Sequence, residues 1–283
     1  MSNLKSFNFF RRYNVVKTLR FFNIRHGSQS MLLSAIDEKT GIATVTLNKP
    51  PVNSLNLEFL EEIKNQILQL QNEKARGMIL TSGLQKVFSA GLDITEFYQP
   101  DLSRLAQFWT TLQDTWLALY LAPFPTTAVI NGHSPAGGCL MAMSCDYRVM
   151  VGPKYTIGLN ETKLGIVAPK WFQDTMVAVI GQRNAELSLI LGKMYTTEEA
   201  LKIGLVDESV ADTNTAIEKG IQFLHNFQNI SPWAFKMTKD ISRQPTVQWL
   251  LENKKKDLDF TLNFMQSSNI QKGLGLYLQS LKK

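Results

Sequence analysis

The pattern of apolar and polar residues predicts short strands that alternate with amphipathic helices. Residues 42–47 are rich in β-branched side chains, which favours a strand. From Leu57 to Leu70, apolar residues recur at helical spacing with Glu and Lys between them, which predicts a helix. This alternation indicates an α/β fold. Further strands are predicted at 77–81, 126–130 and 147–151, and further helices at 102–121 and 138–144.

Strand patterns end at about residue 211, and the remainder of the chain is predicted to be helical. We expect helices at 214–228, 231–242 and 246–281. The last of these carries more apolar residues than one exposed helix needs, so part of its surface should cover the core or a neighbouring subunit. Its apolar positions are Trp249, Leu250, Leu258, Phe260, Leu262, Phe264, Leu274, Leu276 and Leu278.

The net charge of +6 belongs to the N-terminal segment rather than to a binding face. Residues 1–36 hold six of the 30 Lys and Arg residues and no acidic residue, which leaves 24 basic against 24 acidic residues in the remainder. An amphipathic, Arg-rich start without acids is typical of a mitochondrial transit peptide. We therefore expect residues 1–30 to direct import into the mitochondrial matrix, with cleavage near Arg25 to Ser30. The alternative is a basic arm that binds a membrane surface or nucleic acid.

Several common functional classes are poorly supported by the sequence. Cys139 and Cys145 are too few for a disulfide framework and make a poor metal site. No apolar stretch approaches the ~20 residues that span a bilayer, so stable membrane insertion is not expected. A nucleophile elbow, a Walker A motif, a dinucleotide fingerprint and zinc-ligand spacing are all missing from the sequence. His133 suits a structural role as well as a chemical one.

Two short segments after predicted strands suit the presentation of bare backbone N–H groups. They are Ala90-Gly91 and Gly137-Gly138. Glycine lets a backbone approach a ligand closely, and the first N–H groups of a helix lack internal partners. Two such groups that converge on one oxygen would form an oxyanion hole. From the glycines alone, however, two ordinary turns are the simpler interpretation, and Glu161 alone is equally a surface or capping carboxylate.

Four motifs, in this order along the chain, favour the functional interpretation over ordinary turns. They are Phe88-Ser-Ala-Gly-Leu-Asp93, Ala128-Val-Ile-Asn-Gly132, Pro135-Ala-Gly-Gly-Cys139 and Cys145-Asp-Tyr-Arg-Val149. Together they resemble the signatures of the enoyl-CoA hydratase/isomerase (crotonase) superfamily, from about residue 32 to the end. Residues 155–169 resemble the Δ3,Δ2-enoyl-CoA isomerase branch of that superfamily.

The resemblance implies an α/β fold of the crotonase type, a spiral of ββα units with a helical C-terminal region. On that basis we expect a crotonase-like catalytic core at 31–211 and a helical oligomerisation region at 212–283. The resemblance also implies a homotrimer that acts on an acyl-CoA thioester. It implies neither a metal nor a cofactor, because CoA arrives with the substrate.

By position, the resemblance assigns the oxyanion-hole amides to Ala90 and Gly137 and the acid/base role to Glu161. Hydratases of the superfamily carry a second glutamate directly after the cysteine of the glycine turn, where this chain has Leu140. The resemblance also places a further set of residues along the substrate. These are Ala90, Gly91, Leu92, Asp93, Ile94, Gly137 and Asn160.

One carboxylate beside two N–H donors suits a 1,3-proton shift. The expected reaction moves the double bond of a 3-enoyl-CoA to trans-2-enoyl-CoA, in β-oxidation of unsaturated fatty acids. We expect Leu159, Leu164, Ile166 and Val167 to bury Glu161 and to raise its pKa.

Two alternatives remain open. One is another acyl-CoA enzyme of the superfamily, a hydratase or a thioesterase. The other is a non-catalytic RNA-binding relative. The chain after residue 36 has no net charge, so no basic excess is left for phosphate contacts, which disfavours this alternative.

Overall fold

The structure is a computed structural model that describes residues 19–21 and 30–280. The predicted transit peptide therefore lies outside the described residues, except for Leu19–Phe21 and Ser30. Leu19–Phe21 forms strand β1, which pairs antiparallel with β2 (Leu32–Asp37). Arg20 in β1 also forms an ion pair with Glu73.

The described residues build one seven-stranded sheet. Its first three strands pair antiparallel, and the remaining pairs are parallel. The predicted strands are confirmed, and two of them, 77–82 and 126–130, are buried at every position, as a parallel sheet covered on both faces requires. In spatial order the strands are β1, β2, β3 (Ile42–Leu47), β4 (Gly77–Ser82), β6 (Thr126–Ile130), β8 (Tyr147–Val151) and β11 (Glu208–Val210).

A second, four-stranded sheet is made of short strands that the apolar pattern does not predict. Strands β4, β6 and β8 of the large sheet are each followed along the chain by a strand of the small sheet, namely β5 (Lys86–Val87), β7 (Gly132–Pro135) and β9 (Thr156–Gly158), and then by helices. This repetition is the expected spiral of ββα units. In spatial order the small sheet is β10 (Tyr195–Thr196), β9 (Thr156–Gly158), β7 (Gly132–Pro135) and β5 (Lys86–Val87).

Helices cover both faces of the large sheet. The first helix, 57–72, is capped by Asn56, whose side chain accepts the Phe59 N–H, and it buries the apolar face that its sequence predicts. Two single 3₁₀ turns, Ile94–Glu96 and Glu161–Leu164, interrupt the loops. The helices are α1 (Leu57–Asn72), α2 (Leu102–Tyr120), α3 (Gly137–Ser144), α4 (Lys170–Ile180), α5 (Gln182–Leu191), α6 (Thr197–Lys202), α7 (Thr213–His225), α8 (Pro232–Met265) and α9 (Ser268–Ser280).

The predicted boundaries of the C-terminal helices are wrong. Instead of breaking before residue 246, α8 continues through Pro245, and the chain breaks at 266–267. A proline inside a helix removes one hydrogen bond and costs about 3 kcal/mol. Contacts on both sides of it offset this loss: Lys239 and Arg243 bind Asp146, and Leu250 is fully buried.

The apolar surplus of the last two helices mostly covers the chain's own core. Leu250 and Leu274 are buried, and four of the other predicted positions are partly buried against the main core. Phe260 and Leu276, by contrast, are exposed. None of the helices within residues 30–280 combines the length and apolar character needed to cross a bilayer.

Candidate active site

Pairing between β7 and β9 brings Glu161 close to the start of α3. Pro135 lies opposite Gly158 in the small sheet, and the Ala136 N–H donates to the Gly158 carbonyl at 2.8 Å. Gly137, the first residue of α3, comes two residues after Pro135, and Glu161 comes three residues after Gly158. The small sheet therefore positions both predicted functional groups, although sequence periodicity does not reveal it.

Glu161 is a buried carboxylate with an unused oxygen. Its exposed fraction is 7%, and its Oε2 has no hydrogen-bond partner among the described residues. Burial raises the pKa of Glu161 to about 7, and a hydrogen bond from its own backbone opposes that shift only in part. Near neutral pH the group is therefore present in both protonation states, as acid/base catalysis requires.

The apolar wall around Glu161 differs from the prediction at one position. Leu159 and Ile166 are buried and Leu164 is partly buried, but Val167 is 55% exposed. Gly165 ends the 3₁₀ turn in the left-handed region (φ +74°), and the following residues alternate between buried and exposed. Ile166 consequently lies inside and Val167 outside.

The start of α3 lies against the 88–93 loop at two glycines. A Cβ on Gly137 would lie 3.1 Å from the Leu92 nitrogen, and a Cβ on Gly91 would lie 3.1 Å from the Gly137 nitrogen. Gly91 also has φ +88°, which L side chains rarely adopt. The Gly137 N–H belongs to the first turn of a helix and has no intrahelical acceptor. Gly137 therefore fits its predicted role as a donor.

The assignment of the second donor to Ala90 needs correction. The Ala90 N–H donates to the Val52 carbonyl at 2.9 Å, so it is already engaged. The Leu92 N–H has no acceptor within residues 30–280, whereas its neighbours bond to Leu55: the Asp93 N–H donates to the Leu55 carbonyl, and the Gly91 carbonyl accepts the Leu55 N–H. The free amide beside Gly137 is therefore that of Leu92.

This correction could not be made from the sequence. Whether an amide is free depends on its acceptor, and Val52 lies far from Ala90 in the chain. The glycine at 91 marks an irregular backbone but does not say which neighbouring N–H faces the site.

The remaining predicted substrate residues differ in how free their polar groups are. Asn160 precedes Glu161, and its Oδ1 is buried without a partner in the described chain, so it is available to a ligand. The Asp93 carboxylate is engaged by Ser54 and Thr95; although burial acts in the opposite direction, these hydrogen bonds lower the pKa of Asp93. Ile94 opens the 3₁₀ turn that Asp93 caps.

Leu140 occupies the face of α3 one turn beyond Gly137. It is fully buried, and its N–H closes the first turn on the Ala136 carbonyl. No charged side chain contributes to the pKa shift of Glu161. The position of Leu140 therefore supplies no second carboxylate to accompany Glu161.

The surroundings of His133 and of the two cysteines are those of structural rather than reactive residues. His133 is exposed, and its Nδ1 lies 3.1 Å from the Thr156 hydroxyl. Both cysteines are free and buried, and burial raises the pKa of Cys145 to about 12, so neither forms a ready thiolate. Within the described residues, no group of three or more His, Cys, Asp or Glu side chains could hold a metal ion.

Comparison with known proteins links this geometry to one family. The family model described as enoyl-CoA hydratase/isomerase matches residues 37–283. The chain is 42% identical over 275 residues to "Enoyl-CoA delta isomerase 1, mitochondrial" of Mus musculus, an alignment that covers 96% of this chain and 93% of the mouse protein.

Solved structures show the same similarity. The crystal structure of human mitochondrial delta3-delta2-enoyl-CoA isomerase superposes with a TM-score of 0.87 at 40% identity, covering 89% of this chain and 98% of the human chain. An enoyl-CoA hydratase from Bacillus halodurans superposes with a TM-score of 0.78 at 24% identity, covering 87% of this chain and all (100%) of the other, which shows the shared fold.

Proposed function

The chain belongs to the enoyl-CoA hydratase/isomerase family, and we propose that it is a Δ3,Δ2-enoyl-CoA isomerase with Glu161 as its acid/base group. One observation carries this proposal: Glu161, a buried carboxylate whose pKa is raised to about 7, follows a strand that pairs with the strand before α3, where the Gly137 amide lies beside that of Leu92. The substrate is a 3-enoyl-CoA and the product trans-2-enoyl-CoA. No cofactor is required, because the thioester itself supplies the electron-withdrawing group.

The proposed reaction begins with removal of a C2 proton by Glu161. That proton lies between the thioester carbonyl and the double bond, so its loss gives a delocalised dienolate. The N–H groups of Leu92 and Gly137 stabilise the negative charge on the thioester oxygen, and each such donor contributes a factor of roughly 10²–10³ in rate. Glu161 then returns the proton to C4, and no water is consumed.

Leu140 favours isomerisation over hydration. Adding water across a double bond recruits one group to activate the water and another to supply a proton to carbon. The family's hydratases carry a second glutamate where this chain buries Leu140 against the core. An uncharged, fully buried side chain can do neither task.

The direct test supplies purified protein with a 3-enoyl-CoA and, separately, with a 2-enoyl-CoA in water. We expect double-bond migration in the first assay to exceed formation of 3-hydroxyacyl-CoA in the second. Glu161→Gln should lower kcat for migration by roughly 10²–10⁴, whereas Glu61→Gln, a matched change at an exposed site on α1, should not. Dominant hydration, or full isomerase activity in Glu161→Gln, would overturn the proposal.

We propose that the protein works in mitochondria, in the matrix, in the β-oxidation of unsaturated fatty acids. The support is the acid-free basic leader and the similarity to relatives named mitochondrial. A reporter fused to residues 1–30 should be imported and processed, and its retention in the cytosol would contradict the proposed location.

We further propose a homotrimer. The first half of α8 exposes three apolar side chains, Trp233, Met237 and Ile241, whose exposed fractions are 73%, 40% and 65%. Spacing of four residues places them on one face of the helix, which we call the α8 stripe. An apolar surface of this kind is typical of subunit contacts.

A further inference from the structure

The loop that carries the Leu92 amide is held by a buried side chain from another segment. Asn53 has no exposed surface, and its Nδ2 donates to the Phe88 carbonyl at 2.9 Å and to the Ser82 hydroxyl at 2.8 Å. Its Oδ1 accepts the Lys49 N–H at 2.7 Å. Because the Nδ2 of Asn53 faces acceptors and its Oδ1 faces a donor, the orientation of this side-chain amide is determined by its surroundings.

Ser89 continues this connection towards the two proposed donors. Its hydroxyl is fully buried. It donates to the backbone carbonyl of Asn53 at 2.8 Å and accepts the Gly91 N–H at 3.2 Å. Gly91 directly precedes Leu92, so this hydroxyl holds the peptide next to the free amide.

Ser89 also contacts the helix that supplies the other donor. A Cβ on Gly138 would lie 2.6 Å from the Ser89 carbonyl oxygen and 3.2 Å from its Cβ. Ser89, itself part of the 88–93 loop, therefore packs directly against the first turn of α3. Its position determines how far apart these two segments lie.

We propose that Asn53 and Ser89 are positioning residues that hold the Leu92 amide at the correct distance from the Gly137 amide. The inference rests on the proposed isomerase function and extends it to the residues that build the oxyanion hole. The physical reason is geometric, since a donor stabilises the developing charge only within about 2.7–3.1 Å of the oxygen. Loss of the Ser89 hydroxyl would leave the Gly91 N–H unpaired and allow the loop to shift.

The test variant is Ser89→Ala, with Thr115→Val as its matched control. Thr115 is equally buried, but its hydroxyl donates to the Thr111 carbonyl of its own helix α2 at 2.7 Å and lies 3.2 Å from the Leu60 carbonyl of α1. We expect Ser89→Ala to lower kcat by about tenfold, which is less than the rate factor that one oxyanion-hole donor contributes. KM should change by less than about twofold. Thr115→Val should leave both constants unchanged even if it lowers the melting temperature.

A spectroscopic readout separates positioning from general loss of stability. The thioester carbonyl of bound 2-enoyl-CoA, labelled with ¹³C, should vibrate at lower frequency than in solution, because the hole polarises it. In Ser89→Ala the frequency should return part of the way to the solution value, and in Thr115→Val it should not move. Asn53→Asp, which turns an oxygen towards the Phe88 carbonyl, should act in the same direction as Ser89→Ala.

If Ser89→Ala does not fold, Ser89→Cys offers a side chain of the same shape, slightly larger and with a weaker donor and acceptor, and should give an intermediate kcat and carbonyl frequency. Unchanged kcat and frequency in a folded Ser89 variant would overturn the positioning role. An inactive wild-type protein would instead refute the proposed function, so the two failures are distinguishable.

Discussion

Burial makes the charge of Glu161 unfavourable, and the same burial suits this residue to its proposed acid/base role. The carboxylate has apolar neighbours, no cationic partner contributes to its pKa shift, and one of its oxygens is unpaired in the described chain. Desolvation disfavours the ionised form, which is why the pKa rises from its ordinary 4.5 to about 7. A base of this strength takes a proton from carbon more readily than an exposed glutamate does.

This pKa predicts the pH dependence of catalysis. Only ionised Glu161 removes the C2 proton, so kcat/KM for isomerisation should fall about tenfold per pH unit below the pKa and level off above it. Initial rates with 3-enoyl-CoA should give an apparent pKa near 7 for the free enzyme. A profile that stays flat down to about pH 5 would mean that Glu161 is not the base or is not buried in solution.

The same shift predicts a pH-dependent stability. Folded Glu161 binds its proton more tightly than the unfolded chain does, so its favourable contribution is complete below pH 4.5 and is lost as pH rises to about 7. At pH above this window, Glu161→Gln should therefore be more stable than wild type, by up to about 3 kcal/mol. Urea denaturation at low and high pH measures this.

The comparison with a matched variant makes this prediction specific. The gain in stability from Glu161→Gln should become smaller as pH falls towards 5. Glu61→Gln, at its exposed site, should change stability little at low or high pH. An equal gain from Glu161→Gln at both pH values would show that the ionisation of Glu161 is not the cause.

At the scale of elements, the site depends on close contact between α3 and the 88–93 loop. Ala136, which precedes α3, has φ +48°, an uncommon conformation for a residue other than glycine. Gly137 and Gly138 follow it and leave no room for a side chain on the loop side. The two segments therefore fit only when they pack backbone to backbone.

Gly138→Ala should disrupt this packing. The new methyl group would lie 2.6 Å from the Ser89 carbonyl oxygen, so backbone must move. We expect a loss of about 1–3 kcal/mol in stability together with lower kcat, measured by urea denaturation and isomerase assay.

Gly273→Ala is the matched control, because it makes the same change in the middle of α9. The nearest heavy atom to its Cβ would be the Leu164 carbonyl oxygen at 3.8 Å, an ordinary contact. There alanine should stabilise the protein by about 0.5–1 kcal/mol through its helix propensity, with activity retained. Equal effects of the two substitutions would contradict the packing model.

At the scale of the whole molecule, the α8 stripe is an apolar surface that the described chain leaves uncovered. Ile241→Glu should place a charge in the proposed trimer contact and shift the protein towards monomers in sedimentation velocity. Its secondary structure should persist, since Ile241 is exposed in the monomer.

Leu276→Glu serves as the control for this experiment. Leu276 is also exposed, but it lies on α9, away from the stripe in sequence. This variant should keep the wild-type association state. A trimer that survives Ile241→Glu would show that subunits meet elsewhere, and a monomeric wild-type protein would refute the assembly.

The sequence by itself determined four strands of the large sheet, most of the helices and, through its ordered motifs, the family of the chain. Periodicity predicts the helix 57–72, which buries one face along its whole length, and a continuous apolar run predicts the strand 77–82, which is buried at every position. The ordered motifs single out Glu161 and Gly137 by resemblance to the family, and their roles remain proposals. The predicted division into core and oligomerisation regions remains a prediction.

Only the tertiary structure decided which backbone amide is free, which carboxylate is buried and which helix continues unbroken. Leu92 rather than Ala90 offers a free amide because Val52, distant in sequence, occupies the other. The helix α8 passes through Pro245 because side chains on both sides bind the body of the protein. The pKa of Glu161 is likewise a property of packing, since desolvation depends on every neighbour that excludes water. Local sequence patterns record what a segment prefers, whereas hydrogen-bond partners and burial arise only when distant segments meet.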